Sequence, residues 1–196
     1  MTLLSLMIAG VFVVAGWTPG SEIVRYTFTE ESEVRVEGTS SLHDWSAEGT
    51  SIAGMMEIAG GEGLLDGGTL TKGNLTIPVG GLETDNNTMN KKMRDALKAD
   101  TYSTITYQLV SATVTGAPEG NSVQILATGE LTLAGVSKTI EVKLDGQDLG
   151  GGKLRLIGSY ALQMTEYGMK PPSAMLGTIK TGDMVTIHFD LIANAL

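Results

Sequence analysis

The residue types that nucleophilic catalysis would use occur together in one short stretch. Ser40-Ser41-Leu42-His43-Asp44-Trp45 offers a hydroxyl, an imidazole and a carboxylate. A Ser-His-Asp triad needs these groups to converge from different elements, each within hydrogen-bond reach of the next. Adjacent residues of one strand point to opposite faces, so this stretch by itself does not predict a hydrolase.

Metal chemistry finds equally little support. One stretch carries oxygen side chains like those of a calcium-binding loop: Glu83-Thr84-Asp85-Asn86-Asn87. It lacks the glycine and the final glutamate of such a loop, so we interpret it as a helix-capping loop. His43 and His188 stand far apart, and the sequence has no cysteine, which leaves too few ligands for zinc. We expect no metal and no other cofactor, and the chain is predicted not to be an enzyme.

Charge and composition exclude further classes. The formal net charge is −9 and aromatic residues make up 5% of the chain. An acidic surface argues against a nucleic-acid partner and against electrostatic binding to an anionic membrane. Because the sequence has no cysteine, it forms no disulfide, and an exported protein of this kind fits a bacterial periplasm better than a disulfide-rich secreted scaffold.

The first residues differ from the rest of the chain. Leu3 to Trp17 is almost unbroken apolar sequence, and the first charged side chain is Glu22. Fifteen residues are too few to span a bilayer comfortably, and they suit the apolar region of a secretory signal. We therefore predict a signal peptide over 1–20, a single domain over 21–196, periplasmic localisation and no stable membrane insertion after cleavage. An uncleaved anchor or a first buried strand is the alternative.

Period-two alternation of apolar and polar residues recurs along the remainder and predicts about eight antiparallel strands. The Ala134-Gly135 link between two alternating runs indicates a hairpin, and 26 glycines supply further turns. The runs are Ile23–Val36 (bent or broken near Glu30–Ser32), Trp45–Ile58, Leu70–Val79, Ile105–Leu109, Val123–Leu133, Ile140–Leu144, Leu154–Met164 and Val185–Leu191. His188 falls on the polar face of the last run and is expected to point to solvent.

One helix is predicted, over Thr88–Ala99. Met89, Met93 and Leu97 fall at helical spacing, and Asn86, Asn87 or Thr88 can cap its start. Such a helix packed over one end of a barrel would act as a lid, or would simply cover the core. A two-sheet sandwich is the alternative to a barrel; strand length and the removal of exposed edges favour the barrel. Eight strands enclose an interior that side chains fill or that holds one small ligand.

Three stretches resemble the YceI-like family. The first, Gly38–Gly49, contains Leu42-His43-Asp44-Trp45; the second runs from Leu75-Thr-Ile-Pro-Val79 through the helix to Ile105-Thr-Tyr107. The third is the hairpin Gly129-Glu-Leu-Thr-Leu-Ala-Gly135-Val-Ser-Lys138. The resemblance extends from about Ser21 to the C-terminus, and Tyr160–Met169 matches the late strand that ends in an aromatic-glycine turn. Ser103 and Thr165-Glu166 depart from the family pattern.

This resemblance implies an all-β fold, a lipocalin-like antiparallel barrel of eight strands with one short helix at about 88–99. It also implies a periplasmic protein, able to form a homodimer, that binds, transports or stores an isoprenoid or quinone-type lipid in a tunnel without catalysis. A structural or stress-related interaction module with a self-filled barrel and no ligand is the alternative. The candidate tunnel or rim residues are His43, Trp45, Met89, Met93, Leu97, Tyr107, Leu131, Tyr160, Met164 and Tyr167. For Trp45 and Tyr167, packing in the core is at least as good an interpretation.

Overall fold

A computed structural model of the chain describes residues 22–61, 63–174 and 178–196. That part contains twelve strands and one α-helix. The first six strands are β1 (Ile23–Phe28), β2 (Glu33–Ser40), β3 (Trp45–Gly49), β4 (Ala53–Ala59), β5 (Thr69–Pro78) and β6 (Leu82–Glu83). After the helix α1 (Asn87–Ala96) come β7 (Thr104–Glu119), β8 (Ser122–Leu133), β9 (Val136–Gly150), β10 (Lys153–Gln163), β11 (Ser173–Ala174) and β12 (Ile179–Ala195). The predicted signal peptide, 1–20, lies outside the described residues.

Eight of these strands form a closed antiparallel barrel, in the order β1-β4-β5-β7-β8-β9-β10-β12. The ring is closed by the pairing of β1 with β12, in which Tyr26 lies opposite Ala195 and Phe28 opposite Ala193. The prediction of an eight-stranded antiparallel barrel with one short helix is therefore confirmed. Strands β2, β3 and β6 extend the wall beyond β12 at one end of the barrel.

The wall bends where one apolar run is divided into two strands. Strands β1 and β2 both pair with β12, and the break between them lies at 29–32, within the predicted bend. Ser32 is fully buried there, and its Oγ donates to the carbonyl of Ile192 at 3.0 Å and accepts from the Ile192 amide at 2.9 Å. The run predicted over Trp45–Ile58 is also divided, because residues 50–52 separate β3 from β4. Because of these two breaks, β1 and β4 belong to the closed ring, whereas β2 and β3 belong to its extension.

The predicted hairpin at Ala134-Gly135 is present. Leu133 of β8 pairs with Val136 of β9, and the two residues between them have φ angles of 48° and 81°. Two positive φ angles define the tight turn whose twist matches that of the flanking strands. From this turn the β8–β9 ladder runs without a register shift as far as the pair Ser122–Gln147, so this hairpin is a regular part of the wall.

The two faces of the wall differ as the alternation predicts. Apolar side chains fill the inner face, whereas the outer face carries ion pairs between neighbouring strands. Glu57 of β4 lies between Lys72 and Arg25, at 3.0 and 3.1 Å, and its hydrogen bonds to these two cations, Lys72 first, hold the pKa of the carboxyl below its ordinary value. His188 also lies on the outer face, 3.3 Å from Glu37. Among the described residues, no helix has both the length and the apolar character needed to cross a membrane.

Candidate functional site

Among the described residues, two apolar cavities lie inside the barrel. The inner chamber, about 140 Å³, is lined entirely by residues of strands. The outer chamber, about 250 Å³, lies under α1 and the loops at the extended end of the wall. Val36, Leu82, Ile105 and Ile187 line both chambers, and we call these four residues the waist. The two chambers therefore adjoin at the waist, and we refer to them together as the tunnel.

The inner chamber is built by side chains that alternate along the strands. Ala127 and Leu131 face it from β8, Tyr107 from β7, and Tyr160 from β10. The hydroxyl of Tyr107 is buried and has no hydrogen-bond partner among the residues that the structure describes. Burial raises the pKa of Tyr107, so this ring stays neutral. The lining of the inner chamber is therefore uncharged and almost entirely apolar.

Helix α1 forms one side of the outer chamber. Asn86 caps its start, with Oδ1 accepting from the amides of Thr88 at 2.8 Å and Met89 at 3.2 Å. The helix ends at Ala96, three residues before the predicted end, because Lys98 adopts a left-handed φ of 55°. The amide of Ala99 then bonds to the Arg94 carbonyl at 2.9 Å, as in a Schellman motif.

A buried asparagine fastens this helix to the segment that follows β6. Asn90 is 6% exposed, and its Oδ1 accepts from the Thr84 amide at 2.6 Å and from the Thr84 hydroxyl at 2.8 Å. Its Nδ2 donates to the Thr84 carbonyl at 3.4 Å. With the helix held at this point, Met89 and Met93 face the outer chamber, and Leu97 is buried beside them.

The turn between β2 and β3 forms a second side of the mouth. Ser40 Oγ donates to the carbonyl of His43 at 2.7 Å and accepts from the His43 amide at 3.2 Å. His43 is exposed on this turn, and its Nδ1 lies 2.7 Å from the backbone carbonyl of Asp44, rather than near the Asp44 carboxylate. Trp45 follows on β3 and lines the outer chamber. The serine, histidine and aspartate thus serve to shape a turn.

The third side is the segment that follows β10. Met164 opens a short 3-10 turn (Met164–Tyr167) and lines the outer chamber, although the alternation predicts it on the strand. Asp183 of β12 holds this turn by accepting from the Thr165 amide at 2.9 Å and hydroxyl at 2.6 Å. Farther along, the carbonyl of Ser173 accepts from Lys92 Nζ at 2.8 Å, which joins the segment to α1 across the mouth.

The structure brings most of the predicted site residues together on the tunnel wall. His43, Trp45, Met89, Met93, Leu97 and Met164 line the outer chamber, and Tyr107, Leu131 and Tyr160 line the inner one. Tyr167 lies elsewhere: it is completely buried in the wall, with Lys138 Nζ 5.4 Å from its ring centre. Burial, followed by the nearby Tyr160 and Glu166, raises the pKa of Tyr167 to about 12.

Sequence reasoning missed the waist and two residues of the mouth. Ile105 and Ile187 stand on the predicted apolar faces, but alternation does not say which inward residues meet across the barrel. Lys92 could have been predicted at the mouth, because it follows Met89 by three residues and so shares its side of the helix. Asn90 could have been singled out as well, because it is a polar residue inside the apolar helical pattern. Among the described residues no group of three or more His, Asp or Glu side chains is placed to hold a metal ion.

Residues 26–193 match the family model of the YceI-like domain. Among the curated proteins, none matches the chain significantly. A domain from Saccharophagus degradans described as polyisoprenoid-binding and implicated in plant cell wall breakdown has a TM-score of 0.69 at 17% identity, over 87% of this chain and 98% of the other.

Two further solved structures are similar to the chain. BcnA of Burkholderia cenocepacia gives a TM-score of 0.66 at 18% identity, over 84% of this chain and 97% of that protein. A Campylobacter jejuni YCEI protein gives 0.51 at 20% identity, over 64% of this chain and 72% of the other. At these identities the structural matches show that the fold is shared.

Proposed function

The chain belongs to the family of YceI-like domains, and from this premise we propose that it binds an isoprenoid or quinone-type lipid inside its barrel without catalysing a reaction. The observation that supports the proposal most directly is the tunnel, whose two apolar chambers meet at a shared waist. A solved relative of the same fold is described as a polyisoprenoid-binding domain, which agrees with a chain-like ligand.

The physical argument rests on burial. Moving a long apolar chain from water into the protein is favourable by about 0.8 kcal/mol of free energy for each methylene group that is buried. A wall of aliphatic and aromatic side chains can therefore hold it with few polar contacts, and the binding free energy is spread over many residues. The polar atoms of the mouth, at His43, Lys92 and Thr181, would face the headgroup end of a ligand whose chain fills the chambers.

We further propose that the protein acts in the periplasm as a carrier or store of this lipid. Support comes from the apolar N-terminal stretch, the lack of cysteine and the acidic surface, which would keep the carrier from adhering to anionic membranes. Homodimer formation is part of the same proposal. Cell fractionation tests the location, and sedimentation velocity of the purified protein tests the dimer.

The binding proposal is tested by identifying what the protein carries. The full chain is expressed with its N-terminal stretch in a bacterial host, purified without detergent, denatured and extracted with organic solvent. Mass spectrometry of the extract should show a prenyl lipid that is missing from a control protein purified in parallel. An empty barrel that also fails to bind prenyl alcohols and quinones in vitro would instead support the interaction module with a side-chain-filled interior.

A further inference from the structure

Three aromatic rings of the tunnel each lie over a glycine of the neighbouring strand. Both members of every pair are on the inner face of the wall, and the rings line the chambers. The pairs are Trp45 over Gly38, Tyr107 over Gly129 and Phe189 over Gly158. A ring that covers a glycine lies close to the backbone of the sheet and leaves the centre of the barrel free.

The contact distances show how strictly each ring depends on its glycine. A Cβ atom added to Gly129 would lie 2.3 Å from Tyr107 Cζ and 2.4 Å from its hydroxyl oxygen, and one added to Gly38 would lie 2.4 Å from Trp45 Cζ2. Ordinary van der Waals contact begins at 3.4 Å. Even an alanine at these positions would therefore force the ring to move by about 1 Å.

The direction of that movement follows from the position of the rings. Ala127 and Leu131 line the inner chamber on either side of Gly129, and Tyr107 covers the glycine between them. Since the backbone of β8 lies behind Gly129, a displaced Tyr107 ring moves into the chamber. Within the inner chamber the Gly129 pair is cleaner than the Gly158 pair, because a Cβ atom at Gly158 would meet the backbone oxygen of Lys143 at 2.7 Å as well.

We propose that Gly129 sets the width of the inner chamber, and that this width lets the chamber accept a methyl-branched chain. The second half of this inference rests on the proposed function above. An unbranched alkyl chain passes through a narrower channel than a prenyl chain, whose methyl groups project at regular intervals. A tyrosine held flat against the wall by Gly129 leaves room for these methyl groups; a displaced one does not.

The test compares two alcohols of equal main-chain length, geranylgeraniol and hexadecan-1-ol, by competition against a fluorescent apolar probe. In Gly129→Ala we expect the affinity for the branched alcohol to fall at least about tenfold further than the affinity for the linear one. Gly73→Ala is the matched control: Gly73 lines the same chamber, but its added Cβ meets only Leu109, at 3.4 Å. It should change the preference between the two alcohols much less.

A second substitution isolates the ring as the cause. In Gly129→Ala combined with Tyr107→Leu, the new methyl group no longer meets a ring, so binding of the branched alcohol should recover. Gly129→Ala combined with Tyr107→Phe retains the ring and should not recover. If Gly129→Ala fails to fold, the leucine double variant must still fold and bind the branched alcohol. Its failure, or an unchanged preference in a folded Gly129→Ala, overturns the proposal.

Crystal structures of the wild type and Gly129→Ala separate this inference from the lipid-binding proposal. A smaller inner chamber with a displaced Tyr107 ring supports the role of Gly129 in setting the width, even if the wild type binds neither alcohol and the proposed function fails. An undisplaced ring and an unchanged chamber overturn it, whichever alcohols bind.

Discussion

The two chambers of the tunnel are built in different ways. Every residue that lines the inner chamber stands on a strand whose neighbours are fixed by ladder hydrogen bonds. The outer chamber is closed by a helix, a turn and a 3-10 segment, which have few ladder hydrogen bonds of their own and are held partly by side chains such as Asn90, Asp183 and Lys92. The inner wall is therefore the more rigid part, and the outer wall can open at a smaller cost in free energy.

This difference suggests that the two chambers affect different properties of ligand binding. A chamber framed by paired strands keeps its shape and sets which chain is accepted, whereas a chamber framed by separately fastened pieces controls how fast the chain enters and leaves. Substitutions in the inner chamber or the waist should then change affinity, and substitutions at the fastenings of the mouth should change local opening and exchange rates. Each of the following variants tests one side of this comparison.

The largest effect is expected at the waist. In Val36→Trp, the indole would separate the two chambers, and a ligand held only in the outer one would lose the burial of several methylene groups at about 0.8 kcal/mol each. Affinity for a long prenyl chain should fall by about a hundredfold or more. Fluorescence competition measures the loss, and circular dichroism checks the fold.

Val110→Trp provides the control for that variant. Val110 is 67% exposed on β7, so the same substitution there adds an indole outside the tunnel and should leave the affinity as it is in the wild type. If Val36→Trp binds as tightly as Val110→Trp, the ligand does not pass the waist, and the two chambers are not one site.

The second effect concerns the fastening of α1. Asn90→Ala removes the acceptor for the Thr84 amide and hydroxyl, and a buried amide without its partner costs about 1–3 kcal/mol. Hydrogen exchange of the α1 amides should accelerate accordingly, while the amides of β8 and β9 keep their protection. Asn87→Ala, at an exposed position of the same helix, serves as the control. Equal acceleration in helix and barrel would show that the two parts open as one unit.

A smaller effect is expected at the contact between α1 and Ser173. Lys92→Met keeps the apolar stem of the side chain but removes the ammonium group that donates to the Ser173 carbonyl. Loss of one partly exposed hydrogen bond, worth about 1 kcal/mol, should speed ligand dissociation about fivefold in stopped-flow measurements, with a smaller change in affinity. Lys91→Met tests for an unspecific effect of charge. Equal dissociation rates in the two variants would contradict a fastening role for Lys92.

The face of the wall on which a residue lies was predictable from sequence, whereas its neighbours across the barrel were not, for a physical reason. Strand alternation is local, so Tyr107, Leu131 and Tyr160 were predicted on the inner face and line the inner chamber. The stagger between distant strands decides which inward residues meet, and no local pattern reveals it. Ile105 and Ile187 therefore could not be assigned to the waist.

At the mouth, the structure differs from the sequence-based expectation where the backbone departs from a regular element without an obvious signal. The helix ends early because Lys98 occupies a left-handed position that glycine usually takes. Tyr167 was a rim candidate because an aromatic group there could meet a ligand headgroup, with packing in the core as the alternative. Gly168, with φ of 63°, instead ends a 3-10 turn that directs Tyr167 into the wall.

The smallest effect is expected for Tyr167→Phe, which should alter the stability of the fold only at alkaline pH. Its pKa is raised from 10.0 to about 12, mainly by burial, so the folded state favours the neutral phenol. The resulting stability is complete below about pH 10 and is lost as the pH rises from there through about 12. In Tyr167→Phe, whose missing hydroxyl has no partner in the described part of the chain, the urea midpoint should fall less steeply above about pH 10.

Tyr26 and Tyr107, whose pKa values are also raised by burial, should preserve part of that alkaline slope. Tyr102→Phe removes a hydroxyl from a side chain that is 41% exposed and should leave the wild-type slope unchanged. If Tyr167→Phe and Tyr102→Phe lose stability with pH in the same way, the Tyr167 hydroxyl is accessible to water. Burial of Tyr167 would then add nothing to the Asp183 contacts that hold the 3-10 turn, this turn would open as readily as α1, and the boundary between the rigid and the opening regions would lie deeper in the barrel.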